Sequence, residues 1–253
     1  MLFIIGVGLK PKHLTLEALD ALKGCDRVFL EAYTSAYSEG SREELEDLLG
    51  KAVSELQRAD VEENFGQILE EAKGKNIALA VYGNPLNATT HVQILIDAAA
   101  KGVEARVIAG VSVFEFVSFS GLERYKFGKT TSIVFHGENF EPESFYDAIL
   151  ENKKPGLHTL CLLDIKKEEG KMMNIGHAVS LLEMIEEKRE KNVVGESVLV
   201  GLAGAGGAKQ QLKAGTTEQL KSFKFTAFPQ CLIVCGKLNE KEIEGLKLLA
   251  GFE

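Results

Sequence analysis

Hydrophobic and polar residues alternate along the first part of the chain in a pattern typical of parallel α/β structure. Short apolar runs predict strands at 2–7, 27–31, 51–56, 77–82 and 104–109. Amphipathic segments between them predict helices at 15–23, 41–49, 61–73 and 90–101. Because helical segments separate successive strands, the crossovers place the strands side by side in one direction, and a largely parallel sheet is expected.

The pattern changes after Gly110. Residues 111–119 are dense in apolar and small side chains, and residues 121–129 form a basic, aromatic, turn-rich segment. Further strands are predicted at 131–135, 158–165, 198–202 and 231–235, with helices at 143–152, 174–191 and 240–249. We therefore predict two domains, an N-terminal α/β domain over 1–110 and a C-terminal α/β domain over 111–253.

Composition narrows the function classes. A chain of 253 residues with 45% hydrophobic content can bury a large core, and its net charge of −8 argues against a main role in gripping nucleic-acid phosphates. No apolar run approaches the roughly 20 residues that span a bilayer, so no membrane partner is expected. The four cysteines form no Cys-x-x-Cys pair, which argues against zinc and favours reduced core thiols in a cytoplasmic protein.

A polar loop follows the fourth predicted strand. Residues 83–91 read Gly-Asn-Pro-Leu-Asn-Ala-Thr-Thr-His. Ligands bind beyond the carboxyl ends of strands in open parallel sheets, so this loop is a candidate small-molecule site. The alternative is an ordinary turn before a helix that Thr89 or Thr90 caps. If the first and fourth strands are neighbours, the Gly6-Val7-Gly8 turn and this loop open at one place.

The same glycines also allow a dinucleotide-binding interpretation, with Glu31 as the acidic partner of a ribose. That motif needs a third glycine and a helix that begins against the pyrophosphate. Here the third glycine is missing, and residues 9–13 separate Gly8 from the helix. The interpretation is therefore a distant alternative.

Seven segments together resemble the diphthine synthases, within the tetrapyrrole-methylase-like class of S-adenosylmethionine-dependent methyltransferases. These segments are 3–9, 30–35, 83–91, 120–122, 125–128, 158–166 and 232–238. The Ala-Thr-Thr-His run at 88–91 and the Tyr-Lys-Phe-Gly run at 125–128 are specific to this family, whereas the Gly-x-Gly-Leu start and the Gly-x-Pro loop occur across the wider class.

The resemblance implies a two-domain α/β fold with a mostly parallel N-terminal sheet, a mixed C-terminal sheet and the cofactor in the interdomain cleft. It implies a homodimer that methylates the amino group of a modified histidine on elongation factor 2, giving diphthine, with S-adenosyl-L-methionine converted to S-adenosyl-L-homocysteine. Carried over by position, the cofactor-binding residues are Leu9, Asn84, Asn87, Ser112, Val113, Leu163, Ala205 and Gln230.

Four positions depart from the family pattern. Asparagine stands at 84 where aspartate is usual, Asn87 replaces an apolar residue, Gly204 an arginine and Gln230 a histidine. Asn84 can still accept a hydrogen bond but lacks the charge of a carboxylate.

No catalytic side chain is assigned, because methyl transfer from a sulfonium mainly requires alignment of the amine. Substrate-side candidates are Thr89, Thr90, His91, Tyr125 and Lys126. For each of them, capping or surface solvation is an equal alternative. A tetrapyrrole or rRNA methylase of the same fold and a non-catalytic nucleotide-binding module are the competing functions.

Overall fold

The computed structural model describes residues 1–138 and 140–253, which form two compact units, Met1–Val113 and Phe114–Glu253. The strands of the first unit are β1 (Leu2–Gly6), β2 (Arg27–Glu31), β3 (Ser54–Leu56), β4 (Ile77–Val81) and β5 (Ala105–Ile108). Its helices are α1 (Leu16–Gly24), α2 (Arg42–Leu49), α3 (Arg58–Glu62), α4 (Gly66–Glu71) and α5 (Val92–Ala100). The strands form one parallel sheet in the order β3-β2-β4-β1-β5, as the sequence predicts.

Both faces of this sheet are covered by helices. Ile4 and Leu79 belong to a cluster with buried residues of α3, α4 and α5, and Ile5 and Ala80 pack with residues of α1 and α2. All five residues of β4 are consequently buried. A strand buried on both faces appears in sequence as a continuous apolar run, which explains why β4 was easy to predict.

One helix boundary was predicted wrongly. The segment 61–73 is two short helices, α3 and α4, and the Asn64 side chain donates to Ala59 O at 3.2 Å where the first one ends. Val61, Phe65 and Leu69 are all buried at a four-residue spacing. The helical periodicity therefore continues across a break in the backbone and conceals it.

The second unit contains a mixed sheet. Its strands are β6 (Thr131–Ile133), β7 (Thr159–Leu163), β8 (Ile165–Lys166), β9 (Lys171–Met172), β10 (Leu199–Ala203), β11 (Gln211–Gly215) and β12 (Gln230–Val234). The main sheet has the order β11-β10-β12-β7-β6, in which only β6 and β7 are parallel, and β8 and β9 form a separate ribbon.

The remaining helices are α6 (Val113–Phe116), α7 (Ser144–Lys153), α8 (Ile175–Arg189), α9 (Thr217–Ser222) and α10 (Glu240–Ala250). Buried residues of α7, α8 and α9 pack with the sheet residues Cys161, Leu199 and Leu232 in one cluster. The predicted mixed sheet is confirmed, although β11 and α9 were not predicted.

All four cysteines are buried and free, as expected for core thiols. Burial raises the pKa of Cys231 to about 12, so this thiol stays protonated and unreactive at neutral pH. Within the described part of the chain, no helix is long and apolar enough to cross a membrane.

Candidate functional site

The first unit has a topological switch point between β1 and β4. The connection from β1 runs through α1 to β2 on one side, and the connection from β4 runs through α5 to β5 on the other. Neighbouring strands whose connections diverge leave a crevice at their carboxyl ends, and this is where ligands bind in such sheets. The glycine turn after β1 and the polar loop after β4 both begin here.

Two backbone hydrogen bonds join these loops. Gly83 N donates to Gly8 O at 2.9 Å, and Gly8 N donates to Gly83 O at 3.3 Å. A Cβ atom on Gly6 or Gly110 would lie 2.5 or 2.2 Å from Gly83 O. Gly83 itself has φ +72°, which favours glycine. The ends of three strands therefore meet with backbone packed directly against backbone, which a side chain at Gly6 or Gly110 would prevent.

The predicted site residues of the first unit surround this backbone surface. A Cβ atom on Gly83 would lie 4.0 Å from Leu9 Cδ2 and 3.8 Å from Ser112 Cβ. Asn87 Nδ2 donates to Ser112 Oγ at 3.4 Å, and Val113 follows at the start of α6. The fold thus brings together loops that are distant in the sequence.

Asn84 stabilises the turn of its own loop. Its Oδ1 accepts a hydrogen bond from Leu86 N at 3.2 Å, and Asn87 N donates to Asn84 O at 3.2 Å. A side-chain oxygen two residues before a backbone N–H is the geometry of an Asx turn, which aspartate forms equally well. The departure from aspartate at position 84 therefore preserves the local backbone contact and removes only the charge.

Thr89 and His91 form hydrogen bonds inside the loop and do not cap α5. Thr89 Oγ1 donates to Pro85 O at 2.5 Å, and His91 Nδ1 lies 2.9 Å from the same oxygen. His91 is the N-cap residue of α5, but its side chain makes no capping hydrogen bond and is 2% exposed. The alternatives in which Thr89 caps α5 or His91 is solvated are therefore wrong.

Glu31 is fully buried beside this loop. Its carboxylate accepts hydrogen bonds from Tyr33 N at 3.0 Å, Thr34 N at 2.9 Å and Thr34 Oγ1 at 2.6 Å. His91 Nε2 lies 3.9 Å from Glu31 Oε2. These contacts give Glu31 a structural role in the turn after β2, which argues against the dinucleotide interpretation.

The predicted residues of the second unit lie at one end of its sheet. β7 ends at Leu163, and the register pairs Ala203 at the end of β10 with Gln230 at the start of β12. Ala205 is 8% exposed and lies between Gly204 and Gly206, which have φ +62° and +74°. Glycine suits position 204 for two reasons, since its φ is positive and a Cβ there would lie 2.6 Å from Ala227 Cβ.

Gln230 is itself part of the fold. Its Oε1 accepts a hydrogen bond from Ile175 N at 2.8 Å, and its Nε2 donates to Ala227 O at 2.9 Å. The first bond satisfies a backbone N–H of the first turn of α8, which has no acceptor within the helix. The side chain therefore anchors α8 to β12, a role that its position in the sequence did not reveal.

Lys126, one of the substrate-side candidates, is engaged elsewhere. Its Nζ contacts Glu242 Oε2, whose side chain is fully buried, and donates to Lys237 O at 2.8 Å. His158 Nε2 donates to Glu242 Oε1 at 2.8 Å, and Gly236 N donates to His158 Nδ1 at 3.0 Å. Tyr125, by contrast, is 79% exposed. Lys126 is therefore a structural residue of the second unit.

Comparison with known proteins shows the family to which the chain belongs. The model for Tetrapyrrole (Corrin/Porphyrin) Methylases matches residues 1–221. Diphthine synthases from Methanococcus maripaludis strain C5 and Methanocaldococcus jannaschii are 40% and 39% identical over 98% of both chains. The chain belongs to the diphthine synthases. A crystal structure of diphthine synthase superposes with TM-score 0.90 at 34% identity, covering 100% of this chain and 97% of that one.

As a diphthine synthase, the chain is a methyltransferase of the tetrapyrrole methylase class, and the predicted family and fold are confirmed. The match covers both units of the chain. Among the described residues, no group of three or more histidine, cysteine or acidic side chains could hold a metal ion.

Proposed function

We propose that the chain transfers a methyl group from S-adenosyl-L-methionine to the amino group of the modified histidine of elongation factor 2. The products are diphthine and S-adenosyl-L-homocysteine. The observation that carries this proposal is 40% identity with a diphthine synthase over 98% of both chains. Such agreement over both units supports the same step of diphthamide biosynthesis.

The residues at the switch point fit the methyl donor. The donor combines a flat adenine with ribose and amino acid groups that need hydrogen-bonding partners. Leu9 supplies an apolar side chain, while Asn87 and Ser112 supply polar groups beside it. In the second unit, Leu163 is the last residue of β7 and Ala205 follows the end of β10, and both have apolar side chains. We propose Leu9, Asn84, Asn87, Ser112, Val113, Leu163 and Ala205 as donor-binding residues, and we propose that Gln230 acts by holding β12 against α8.

The bound donor supplies a methyl group on a positively charged sulfonium, which leaves as a neutral thioether. The residues of the chain then have to hold the donor, align the incoming neutral amine and exclude water. The polar side chains found at the switch point form hydrogen bonds within their own loop, as Asn84, Thr89 and His91 do, or to a neighbouring loop, as Asn87 does. This suits a reaction in which the protein contributes position more than proton transfer.

The overall charge supports a protein substrate over RNA. A net charge of −8 disfavours a large phosphate-bearing partner. We also propose that the protein is a cytoplasmic homodimer, as the family resemblance implies. The four buried free thiols are in keeping with a reducing compartment. Sedimentation equilibrium would test the dimer.

The decisive experiment is methyl transfer with radiolabelled donor. Elongation factor 2 carrying the aminocarboxypropyl-histidine is expected to be labelled, and the same factor with an unmodified histidine is the matched control. Label on both proteins, or on neither, would contradict the proposed substrate.

Calorimetry tests the donor independently of the substrate. We expect binding of S-adenosyl-L-methionine and S-adenosyl-L-homocysteine and none of NAD. If neither S-adenosyl-L-methionine nor S-adenosyl-L-homocysteine binds at high micromolar concentration, the proposed methyl transfer is refuted. Labelling of a tetrapyrrole or of rRNA in place of the factor would identify the competing methylase functions.

A further inference from the structure

The loop 83–91 contains a backbone conformation that an ordinary residue rarely adopts. Ala88 has φ +55°, in the left-handed region that favours glycine. Its side chain is exposed, so packing against the core does not impose this conformation. Strained residues persist when the surrounding contacts determine the conformation, and they concentrate at functional sites. The contacts that hold this loop therefore deserve a functional explanation.

Two side chains that follow the strained residue in the sequence share one acceptor. Thr89 Oγ1 donates to Pro85 O at 2.5 Å, and His91 Nδ1 lies 2.9 Å from it. A carbonyl oxygen only accepts, so Nδ1 carries the hydrogen, and the two lone pairs of Pro85 O accommodate both donors. These bonds join Pro85, near the start of the loop, to Thr89 and to His91, the residue that precedes α5.

His91 also links the loop to its surroundings. The ring is 2% exposed, and its Nε2 lies 3.9 Å from Glu31 Oε2. Glu31 is held in place by two backbone N–H groups and a threonine hydroxyl in the turn after β2. A buried ring between two loops has little freedom to move, so it fixes the position of Pro85 against the core.

We propose that Thr89 and His91 are positioning residues of the methyl-donor site, which hold the loop 83–91 in its binding shape through the carbonyl oxygen of Pro85. This inference rests on the proposed function. The two residues act through Pro85 and Asn87 and do not touch the donor. Without the hydrogen bonds to Pro85 O, the backbone at Ala88 relaxes, and Asn87 is no longer held beside Ser112.

The test uses pairs of variants that differ in one hydrogen-bond donor. Thr89→Val removes the hydroxyl at constant shape, and Thr89→Ser keeps it. His91→Phe keeps a ring without a donor, and His91→Asn keeps a nitrogen near the position of Nδ1. We expect Thr89→Val and His91→Phe to weaken binding of S-adenosyl-L-methionine about tenfold, the loss typical of one hydrogen bond. Thr89→Ser and His91→Asn should retain binding within about threefold.

Kinetics separate positioning from simple stability. We expect the KM for the donor to rise with little change in kcat at saturating donor, because the lost contact affects the bound donor before and during transfer equally. A purely structural role would lower the melting temperature and leave the donor Kd of the folded protein unchanged. Thr89 is half-exposed, so its variants should fold even if the buried His91 ring does not tolerate replacement.

A second-site variant tests the strain directly. Glycine adopts positive φ without steric conflict, so Ala88→Gly should restore part of the donor affinity that Thr89→Val loses. A double variant that binds no better than Thr89→Val would overturn the role of strain. If the wild-type protein binds the donor and Thr89→Val and His91→Phe bind it equally well, the positioning role is overturned and the proposed function stands. If the wild-type protein binds no donor, both fail.

Discussion

The buried carboxylate of Glu242 should make the second unit sensitive to acid. Four donors surround it: Lys126 Nζ, His158 Nε2, and the backbone N–H groups of Glu123 and Asn239. Burial alone raises the pKa of Glu242, but the hydrogen bonds from these donors outweigh it and lower the pKa to about 2. The ionised carboxylate is therefore the form that the fold stabilises.

The magnitude follows from the two protonation equilibria. The ordinary pKa of 4.5 and the folded-state value of about 2 correspond to about 3 kcal/mol of unfolding free energy, at about 1.4 kcal/mol per tenfold change in proton affinity. Because the folded-state pKa is the lower one, this stabilisation is fully present above about pH 5 and is lost as the pH falls towards about 2.

Glu242→Gln is the perturbation that tests this. The amide places an N–H₂ group against either the donors at Oε1 or those at Oε2, so at least two donors lose their acceptor. We expect the variant to lose about 3 kcal/mol or more at pH 7, measured by urea unfolding followed by circular dichroism. The difference in unfolding free energy between wild type and variant should become smaller as the pH falls from 5 to 2.5.

Glu244→Gln on the same helix is the matched control. Its side chain is 67% exposed and forms an exposed ion pair with Lys241, so a change within about 0.5 kcal/mol is expected. A Glu242→Gln gap below about 1 kcal/mol, or one that stays constant from pH 7 to pH 3, would refute the reasoning.

Three further changes have defined outcomes. Asn84→Asp keeps the Asx turn and adds a negative charge. Calorimetry should therefore show a severalfold gain in affinity for the positively charged sulfonium donor relative to S-adenosyl-L-homocysteine. Gly110→Ala should weaken donor binding, since its Cβ would lie 2.2 Å from a loop carbonyl, whereas Gly24→Ala, with no atom within 4 Å, should not. Gln230→Leu leaves Ile175 N without an acceptor and should cost about 1–3 kcal/mol in urea unfolding.

The sequence predicted the elements whose signal is local. The apolar run of β4 and the starts of the helices α1 and α2 each follow from a few adjacent residues, and the structure has these two starts within one residue of the prediction. The strand β11 escaped prediction because it reads Gln-Leu-Lys-Ala-Gly and has only two buried residues. Its place in the sheet depends on pairing with β10, which is information that the segment itself does not contain.

The candidate site was predictable in position and not in the use of its polar groups. From sequence, the glycine turns after β1 and β4 open at one place only if the two strands are neighbours, and the structure makes them neighbours. Some polar side chains form bonds that stabilise the fold, and their partners lie far away in the chain. Gln230 bonds Ile175 in this way, and Lys126 pairs with Glu242. Sequence spacing cannot reveal such pairs. Gln230 was therefore expected to bind the cofactor, and Lys126 was a candidate for contact with the substrate.

This distinction bears on the reaction as well as on prediction. A transfer that needs no dedicated acid or base depends on the fixed position of donor and amine. A loop that holds the donor in position must keep its own conformation. A short polar segment can do this when its side chains donate hydrogen bonds to its own carbonyl groups. Thr89, His91 and Asn84 all bond within residues 84–91. Their polarity is therefore explained by the stiffness of the loop, and a search for a catalytic base among them would start from the wrong premise.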